Sequence, residues 1–258
     1  MATPKCIVFD LDGTLLNSDQ MISARNQRAL DACRERGISI VIATGRPPRA
    51  VRHLLVSDAL RGFVIYLDGA LTIHESRGVI YNHQTIPAPI STQIIELALL
   101  VQPHVRVSFE VLDAWYPLRS DASDAPNPPH AVDRARIQAL SPTKIILSGF
   151  PNWERVLRPF DPYVRSQGIG DAELIQILEK SVCKEWALGR VLDSLGVGPE
   201  DVMVFGDGLN DLGMFGLCGY PVAMGNAVDS VKMRAKYITD TNDDEGVAVA
   251  LRNLGVVQ

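Results

Sequence analysis

The sequence predicts an α/β fold in which a parallel-sheet core is interrupted by an inserted α+β module. Strands and helices alternate over residues 1–81 and again over 182–258, and their strands are short, continuous apolar runs typical of a parallel sheet covered on both faces. Between residues 82 and 180, by contrast, lie 11 of the 16 prolines but only 3 of the 20 glycines. We therefore expect a core domain formed by residues 1–81 and 182–258, and an inserted domain formed by residues 82–181.

Size and composition exclude several classes of protein. A chain of 258 residues and 28.2 kDa is long enough to bury a hydrophobic core without disulfide or metal crosslinks. The 47% hydrophobic and 21% charged residues are close to globular averages, which excludes wholesale disorder. The net charge of −5 does not fit a nucleic-acid-binding protein or a membrane-surface protein. Nothing in the composition predicts an oligomeric state.

Cysteine usage and hydropathy point to a cytoplasmic setting. Cys6, Cys33, Cys183 and Cys218 are dispersed, with no Cys-x-x-Cys pair and no Cys/His cluster, which argues against a zinc site and a disulfide framework. No apolar stretch reaches the roughly 18 residues of a membrane span, and the N-terminal residues do not read as a secretory leader. We therefore expect a soluble, cytoplasmic protein.

The first part of the chain predicts three buried parallel strands, over residues 6–9, 38–43 and 63–67. Ser23 can cap an intervening helix that runs to Arg36, and Gly37 stands where a helix commonly ends. A second helix is expected over residues 49–56.

The inserted module has a different pattern. A helix is expected over residues 91–101, and residues 104–112 alternate between apolar and polar side chains, as in an antiparallel strand with one solvated face. Further strands are expected over residues 143–147 and 174–178, and a loop is expected over residues 120–130, which are rich in Pro, Asp and Ser.

The parallel pattern then resumes in the last part of the chain. The remaining elements predicted there are a helix over 184–195, strands over 201–205 and 221–224, and helices over 228–236 and 246–254.

The segment Asp10-Leu11-Asp12-Gly13-Thr14 directly follows the first buried strand. Ligands of open α/β sheets bind beyond the carboxyl ends of the strands, so two carboxylates at this position can face a common crevice. Gly13 permits the sharp turn that follows. The alternative interpretation is an Asp-Gly turn that only ends the strand.

Two further segments carry groups that could hold phosphate oxygens. Thr44-Gly45-Arg46 follows the second strand and offers a hydroxyl, a flexible backbone and a cation, although a helix cap before Pro47 explains the same residues. Lys184 opens a predicted helix, where a lone lysine is ordinarily a solvated surface charge.

The segment Gly206-Asp207-Gly208-Leu209-Asn210-Asp211 again follows an apolar strand. Two carboxylates and an amide at a strand end suit Mg²⁺, which prefers oxygen ligands and retains several waters. A capped loop, with Asn210 or Asp211 capping the next helix, is the alternative interpretation.

The ordered set of these segments resembles the haloacid dehalogenase-like hydrolase superfamily. Residues matching its four motifs, in chain order, are Asp10 and Asp12, then Thr44, then Lys184, and finally Asp207 with Asp211. Only one helix and one strand fit between the first two motifs, whereas 140 positions separate Thr44 from Lys184. An α+β insertion at this place resembles the C2B-type cap of the Cof-like phosphatases. The segment Met224-Gly225-Asn226-Ala227 also resembles that group. The resemblance implies a Rossmann-like core.

The resemblance implies a Mg²⁺-dependent phosphatase that hydrolyses a small phosphomonoester, a sugar phosphate or a similar metabolite. Asp10 would be the nucleophile that forms an aspartyl-phosphate, and Asp12 the general acid and base. The implied phosphate-binding residues are Thr44, Gly45, Arg46, Lys184 and Asn210. The implied metal-binding residues are Asp10, Asp12 through its main-chain carbonyl, Asp207 and Asp211.

Two departures from the family pattern bear on the site. Asp68-Gly69-Ala70 stands where the family commonly has Asn-Gly-Ala. An extra carboxylate beside the expected anion pocket would lower phosphate affinity, tune a leaving-group contact or point away. Glu185 follows Lys184 where the family commonly has glycine, and Lys180 is an alternative for the motif lysine.

Three other functions stay open at this point. A phosphomutase or phosphotransferase would pass the phosphoryl group to a second hydroxyl in place of water. A non-catalytic sugar-phosphate sensor on the same fold would usually lack the nucleophile or the acid, and both are present here. The cap could also serve a structural or partner-binding role.

Overall fold

The computed structural model describes residues 3–55, 57–118, 141–169 and 174–258. Backbone contacts divide the chain into two compact units, one formed by Met1–Asn82 with Cys183–Gln258 and the other by His83–Val182. The predicted loop over residues 120–130 lies outside the described residues. Within the described ranges, no helix has the length and apolarity that crossing a membrane requires. All four cysteines are free thiols.

Thirteen strands are found among the described residues. In chain order they are β1 Cys6–Phe9, β2 Ser39–Ala43, β3 Phe63–Tyr66, β4 Leu71–His74, β5 Val79–His83, β6 Arg106–Val111, β7 Ala114–Pro117, β8 Lys144–Ser148, β9 Val164–Ile169, β10 Leu174–Glu179, β11 Val202–Gly206, β12 Tyr220–Ala223 and β13 Tyr237–Ile238.

The same residues contain seven α-helices and several short 3₁₀ turns. The helices are α1 Ala24–Glu35, α2 Ala88–Val101, α3 Trp153–Leu157, α4 Lys184–Leu195, α5 Leu212–Leu217, α6 Asp229–Lys232 and α7 Gly246–Asn253. The predicted cap of α1 is confirmed, since Ser23 Oγ accepts a hydrogen bond of 3.1 Å from the backbone N–H of Asn26.

The first unit is built on an eight-stranded sheet with the order β13-β12-β11-β1-β2-β3-β4-β5. Strands β13 through β3 are parallel, and β4 pairs with β3 in the antiparallel sense. The chain leaves β1 toward β2 on one side and returns as β11 on the other. Strand order therefore reverses at β1, where open α/β sheets form their ligand crevice.

Several elements of the first unit were not predicted correctly. The helix expected over residues 228–236 is shortened to α6, Asp229–Lys232, and the strand β13 was not predicted. The helix expected over residues 49–56 is replaced by two 3₁₀ turns, Pro48–Ala50 and Arg52–Leu54, over the residues described there. Their backbone hydrogen bonds join residues three apart, and the first turn begins at a proline pair that lacks N–H donors. The sequence analysis also missed β4 and β5, which extend the sheet beyond β3.

The second unit contains a five-stranded sheet with the order β7-β6-β8-β10-β9, and its four neighbouring strand pairs are antiparallel. The predicted alternation of β6 is confirmed from Arg106 to Phe109, because Val107 and Phe109 are buried while Arg106 is exposed. It is wrong at Glu110, which was expected on the solvated face and is buried. Helices α2 and α3 contribute apolar side chains to the same core, including Ile94, Ile95 and Leu157. The core of this unit is therefore separate from that of the first.

Candidate active site

Three loops of the first unit begin at the carboxyl ends of neighbouring strands. Asp10 follows β1, Thr44 follows β2 and Asp207 follows β11, and these strands lie side by side in the order β11-β1-β2. Parallel strands place all three loops at one edge of the sheet. Residues far apart in the sequence thus converge on one crevice.

A buried lysine joins two of the aspartates. Lys184 Nζ donates hydrogen bonds to Asp10 Oδ1 at 2.6 Å and to Asp211 Oδ1 at 2.8 Å. The Lys184 and Asp211 side chains are fully buried, and that of Asp10 is 8% exposed. The alternative lysine, Lys180, is exposed and belongs to the second unit.

Helix α4 directs Lys184 inward because the lysine is on its buried face. Ala187, Leu188 and Val191 are buried on the same helix, at the three- and four-residue spacing of one helical face. Gly69 lies against the start of this helix with φ of +107°, and a side chain at that position would collide with the carbonyl of Cys183. The absence of a side chain at residue 69 therefore lets the loop after β3 approach α4 closely.

The loop after β11 is held by the second oxygen of Asp211. Asp211 Oδ2 accepts hydrogen bonds of 3.1 Å from the backbone N–H groups of Asp207 and Gly208. Thr14 Oγ1 donates to Asp207 Oδ1 at 2.8 Å, which links the first and fourth motifs. Gly13 has a φ of +75°, and a Cβ there would collide with the Asp207 carboxylate.

The charges in this cluster do not balance. Burial raises the pKa of Asp10 well above its usual range, against the opposing effect of Lys184, and burial raises the pKa of Asp207 to about 6. Burial alone would lower the pKa of the Lys184 ammonium, but Asp10 and Asp211 outweigh burial and raise it. Lys184 therefore stays protonated, and three carboxylates face one resident cation.

The acidic cluster has the donor set that a divalent cation requires. One oxygen from each of Asp10, Asp207 and Asp211 lies within 4.8 Å of the other two. Carboxylate oxygens are the ligands that Mg²⁺ prefers, and a bound cation would offset the negative charge of the cluster, which adds to the effect of burial in raising the pKa of Asp10 and Asp207. The residues present thus fit Mg²⁺.

Asp12 lies outside this cluster and pairs with Arg46. Arg46 Nε donates to Asp12 Oδ2 at 2.8 Å, and its Nη2 contacts Asp12 Oδ1 and the Gln20 side-chain oxygen. The Asp12 side chain is 48% exposed, so it is accessible to a ligand. Arg46, predicted to contact phosphate, is directed toward Asp12 in this structure, and its contact with phosphate stays a prediction.

The remaining predicted phosphate-binding residues surround the loop after β2. Thr44 is fully buried, and its Oγ1 accepts a hydrogen bond of 3.1 Å from the Arg46 backbone N–H. Asn210 Nδ2 donates to Asp68 Oδ1 at 3.2 Å. Gly45 lies against the Asp68 carboxylate. The structure therefore shows that Asp68 faces this group of residues.

Several residues around the site had no role in the sequence analysis. Thr14 and Asn226 belong to the motif segments without a predicted contact, yet Thr14 Oγ1 donates to Asp207, and Asn226 Nδ2 donates to the Gly13 carbonyl at 2.8 Å. Gln20 is an exposed residue in a turn, and no sequence signal marks its contact with Arg46. The side chain of Glu185 lies against Gly213 of α5.

Comparison with known proteins agrees with this arrangement. The family model described as haloacid dehalogenase-like hydrolase matches residues 7–251. The phosphatase YcsE of Bacillus subtilis, named for 5-amino-6-(5-phospho-D-ribitylamino)uracil, is 31% identical, covering 96% of this chain and 95% of its own.

Solved structures show the same architecture. BT1666 of Bacteroides thetaiotaomicron, described among phosphatases of this superfamily, has a TM-score of 0.85 at 27% identity over 99% of this chain and 96% of its own. BT4131, described as a subclass IIB sugar phosphatase, has a TM-score of 0.80 at 23% identity over 98% of this chain and 100% of its own, and supports the fold alone. The predicted α/β fold is thereby confirmed. The chain belongs to the haloacid dehalogenase-like hydrolases, and within them to the Cof-like phosphatases.

Proposed function

We propose that this phosphatase hydrolyses a small phosphomonoester, a sugar phosphate or a chemically similar metabolite, with Mg²⁺ and through an aspartyl-phosphate. The observation that carries the proposal is the buried Lys184 between Asp10 and Asp211 at the carboxyl end of β1. This arrangement fixes one carboxylate beside a permanent cation. Such a pair suits attack on a phosphorus atom whose oxygens need charge stabilisation.

In the first step, an Asp10 carboxylate oxygen attacks phosphorus and the bond between phosphorus and the leaving oxygen breaks. Asp12 donates a proton to that oxygen, so the leaving group departs as a neutral alcohol while the phosphoryl group stays on Asp10. Asp12 is exposed enough to reach a ligand, and its contact with Arg46 gives the carboxylate a defined position. Release of Asp12 from Arg46 would free it to carry the proton.

In the second step, water attacks the phosphorus of the aspartyl-phosphate. Asp12 accepts a proton from this water, the bond from phosphorus to Asp10 breaks, and inorganic phosphate is released. Atoms and charges balance over the two steps, since Asp10 and Asp12 both return to their starting state. The overall reaction is hydrolysis of one ester bond.

We propose that Thr44, Gly45, Lys184 and Asn210 hold the phosphoryl oxygens during both steps, with Arg46 as a further contact. Asp10, the Asp12 carbonyl and Asp207 would hold Mg²⁺, and Asp211 completes the acidic set while orienting Lys184. Bound Mg²⁺ supplies charge neutralisation, which reduces repulsion between the Asp10 carboxylate and a phosphate dianion.

The inserted unit is proposed to act as the cap that contributes substrate specificity. The name of YcsE describes a substrate with a phosphate on a ribityl chain. A relative that shares 31% of its residues supports the same chemical class here, a phosphate ester on a polyhydroxylated carbon chain. Phosphorylated sugars and sugar alcohols are therefore the first substrates to test.

The proposal is tested with p-nitrophenyl phosphate and Mg²⁺, using wild-type protein, Asp10→Asn and the matched control Asp193→Asn. Asp193 is an exposed residue near the far end of α4, so its change removes a charge without touching the site. We expect Asp10→Asn to lose at least about 10³-fold in kcat, because an amide is a poor nucleophile. EDTA should abolish wild-type turnover, and Asp193→Asn should match the wild type. Turnover by Asp10→Asn near the wild-type level would refute the proposed nucleophile.

A further inference from the structure

The loop after β3 places an additional carboxylate among the proposed phosphate-binding residues. Asp68 Oδ1 accepts a hydrogen bond from Asn210 Nδ2 at 3.2 Å. Both Asp68 oxygens lie beside Gly45, at 3.2 and 3.3 Å from the point where a Cβ of that residue would stand. The Asp68 carboxylate therefore lies between two residues proposed to contact phosphate.

Backbone hydrogen bonds hold this loop in an uncommon conformation. Leu67 and Asp68 have φ values of 52° and 55°, in the left-handed region that side chains other than glycine seldom adopt. The N–H of Leu67 donates to the Arg46 carbonyl at 3.2 Å, and the N–H of Asp68 donates to the Thr44 carbonyl at 3.0 Å. The loop after β2 thus fixes the position of Asp68, and strain of this kind is often found at functional sites.

The chemistry of a carboxylate has two consequences here. An ionised carboxylate only accepts hydrogen bonds, so Asp68 holds the Asn210 amide with its Nδ2 toward residue 68. Asp68 also acts electrostatically on Lys184, as it is one of three carboxylates that raise the pKa of this lysine. The same negative charge repels a phosphate bound by Lys184 and Asn210.

We propose that Asp68 is a positioning residue that orients Asn210 and weakens the retention of inorganic phosphate, which favours release of the product. The inference rests on the proposed function for the place where phosphate binds. It adds a determinant of product affinity, contributed by a residue outside the four motifs. A positioning residue of this kind acts through Asn210 and through its charge.

Asp68→Asn removes the negative charge of residue 68 while keeping the size of its side chain. Asparagine tolerates the left-handed conformation, and its side-chain oxygen can still accept the hydrogen bond from Asn210. Calorimetric titration of inorganic phosphate, in Mg²⁺, would compare wild type, Asp68→Asn and the control Asp193→Asn. We expect phosphate to bind Asp68→Asn about tenfold more tightly, because one nearby negative charge is removed. The control should bind phosphate as the wild type does.

The direction of the change in phosphate affinity distinguishes this role of Asp68 from a merely structural one. Damage to the loop would weaken phosphate binding, whereas loss of the repulsive charge strengthens it. Equal or weaker binding by Asp68→Asn would overturn the inference, as would no measurable binding by either protein.

Kinetics give a second readout that is independent of calorimetry. With p-nitrophenyl phosphate, the inhibition constant of inorganic phosphate should fall about tenfold in Asp68→Asn, and KM should fall with it. Unchanged inhibition would contradict the inference while leaving the proposed hydrolysis intact. If the wild type binds phosphate but does not hydrolyse the ester, the proposed function fails, and calorimetry still decides the role of Asp68.

Discussion

Each unit of the molecule buries a lysine, and the two lysines have different surroundings. Lys144 in the second unit is 2% exposed, donates to Gln176 Oε1 at 2.9 Å and lies opposite the buried Glu110 in the strand register. Lys184 in the first unit faces Asp10 and Asp211, with Asp207 close to both carboxylates.

The difference between the two lysines lies in the balance of charge around them. On the second sheet, the buried lysine donates to a neutral amide and lies opposite one carboxylate in the strand register, which suits a structural role. In the first unit, Asp10, Asp207 and Asp211 cluster at the lysine and Asp68 also acts on it, and this excess negative charge suits a cation and a reaction. A buried lysine is therefore informative about function only together with the count of carboxylates near it.

The largest effect should come from exchanging each lysine for methionine. Lys184→Met removes a cation proposed to hold phosphoryl oxygens, and we expect kcat/KM to fall about 10³-fold. Lys144→Met removes the donor to Gln176 and the positive charge opposite Glu110 in the strand register, which should lower the free energy of unfolding by about 2 kcal/mol while kcat/KM stays near the wild-type value. Steady-state kinetics and denaturant unfolding measure both variants. Similar losses of activity in the two would break the comparison.

The apolar core of the second unit should respond to loss of volume. Phe109 is 1% exposed and stacks on Tyr116 at 5.8 Å between ring centroids. We expect Phe109→Ala to lower the stability of this unit by about 3 kcal/mol. Amide hydrogen exchange should show faster exchange in β6 and β8, with β1 and β11 protected as before. Equal acceleration in both sheets would show that the units unfold together.

Removal of the proposed general acid should depend on the leaving group. Asp12→Ala should lower the turnover of an alkyl phosphate about 100-fold more than that of p-nitrophenyl phosphate, because a good leaving group needs little protonation. The ratio of kcat/KM values on the two substrates measures this effect. Equal losses on both would refute the acid role of Asp12.

Metal binding should stabilise only the first unit. At a Mg²⁺ concentration tenfold above its dissociation constant, we expect about 1.4 kcal/mol of stabilisation and a rise in Tm of about 4 °C. Asp207→Ala should remove the shift, since Asp207 is one of the three clustered carboxylates. Thermal unfolding with Mg²⁺ or EDTA tests this. If Mg²⁺ raised the Tm of Asp207→Ala as much as that of the wild type, Asp207 would be excluded as a metal ligand.

The smallest effect concerns His83 in the second unit. Its Nε2 lies 2.8 Å from Thr143 Oγ1, and burial lowers the pKa of the imidazole below its ordinary 6.5. The folded state therefore disfavours protonated His83, so its contribution to stability is present above pH 6.5 and is lost as the pH falls below that value. Thermal unfolding at pH 7 and pH 5 should show a smaller loss in His83→Gln than in the wild type. An equal loss would assign the pH dependence to other groups.

The sequence was most informative where parallel strands end. Asp10, Thr44 and Asp207 each follow an apolar run, and sheet topology alone places such residues together. Lys184 was identified through its motif and the helix it opens. These elements depend on local patterns that a single sequence contains.

The remaining features depend on contacts between distant residues. The pairing of Arg46 with Asp12 and the left-handed backbone of Leu67 follow from packing of loops against one another. The two 3₁₀ turns after Pro47 replace a helix that the local pattern favoured. Such contacts between distant residues leave no periodic pattern in the local sequence, so the sequence alone does not predict the orientation of Asp68.

The central position of β1 has a consequence for synthesis of the protein. One edge of β1 pairs with β2, which follows it closely in the chain, and the other edge pairs with β11, which is synthesised much later. Asp207, which accepts a hydrogen bond from Thr14, follows it by 193 residues. Lys184 likewise follows Asp10 by 174 residues. A nascent chain emerging from the ribosome thus carries Asp10, the proposed nucleophile, long before Lys184 and Asp207 have been made. Because the crevice needs β11 beside β1, we expect a chain that terminates before β11 to be inactive.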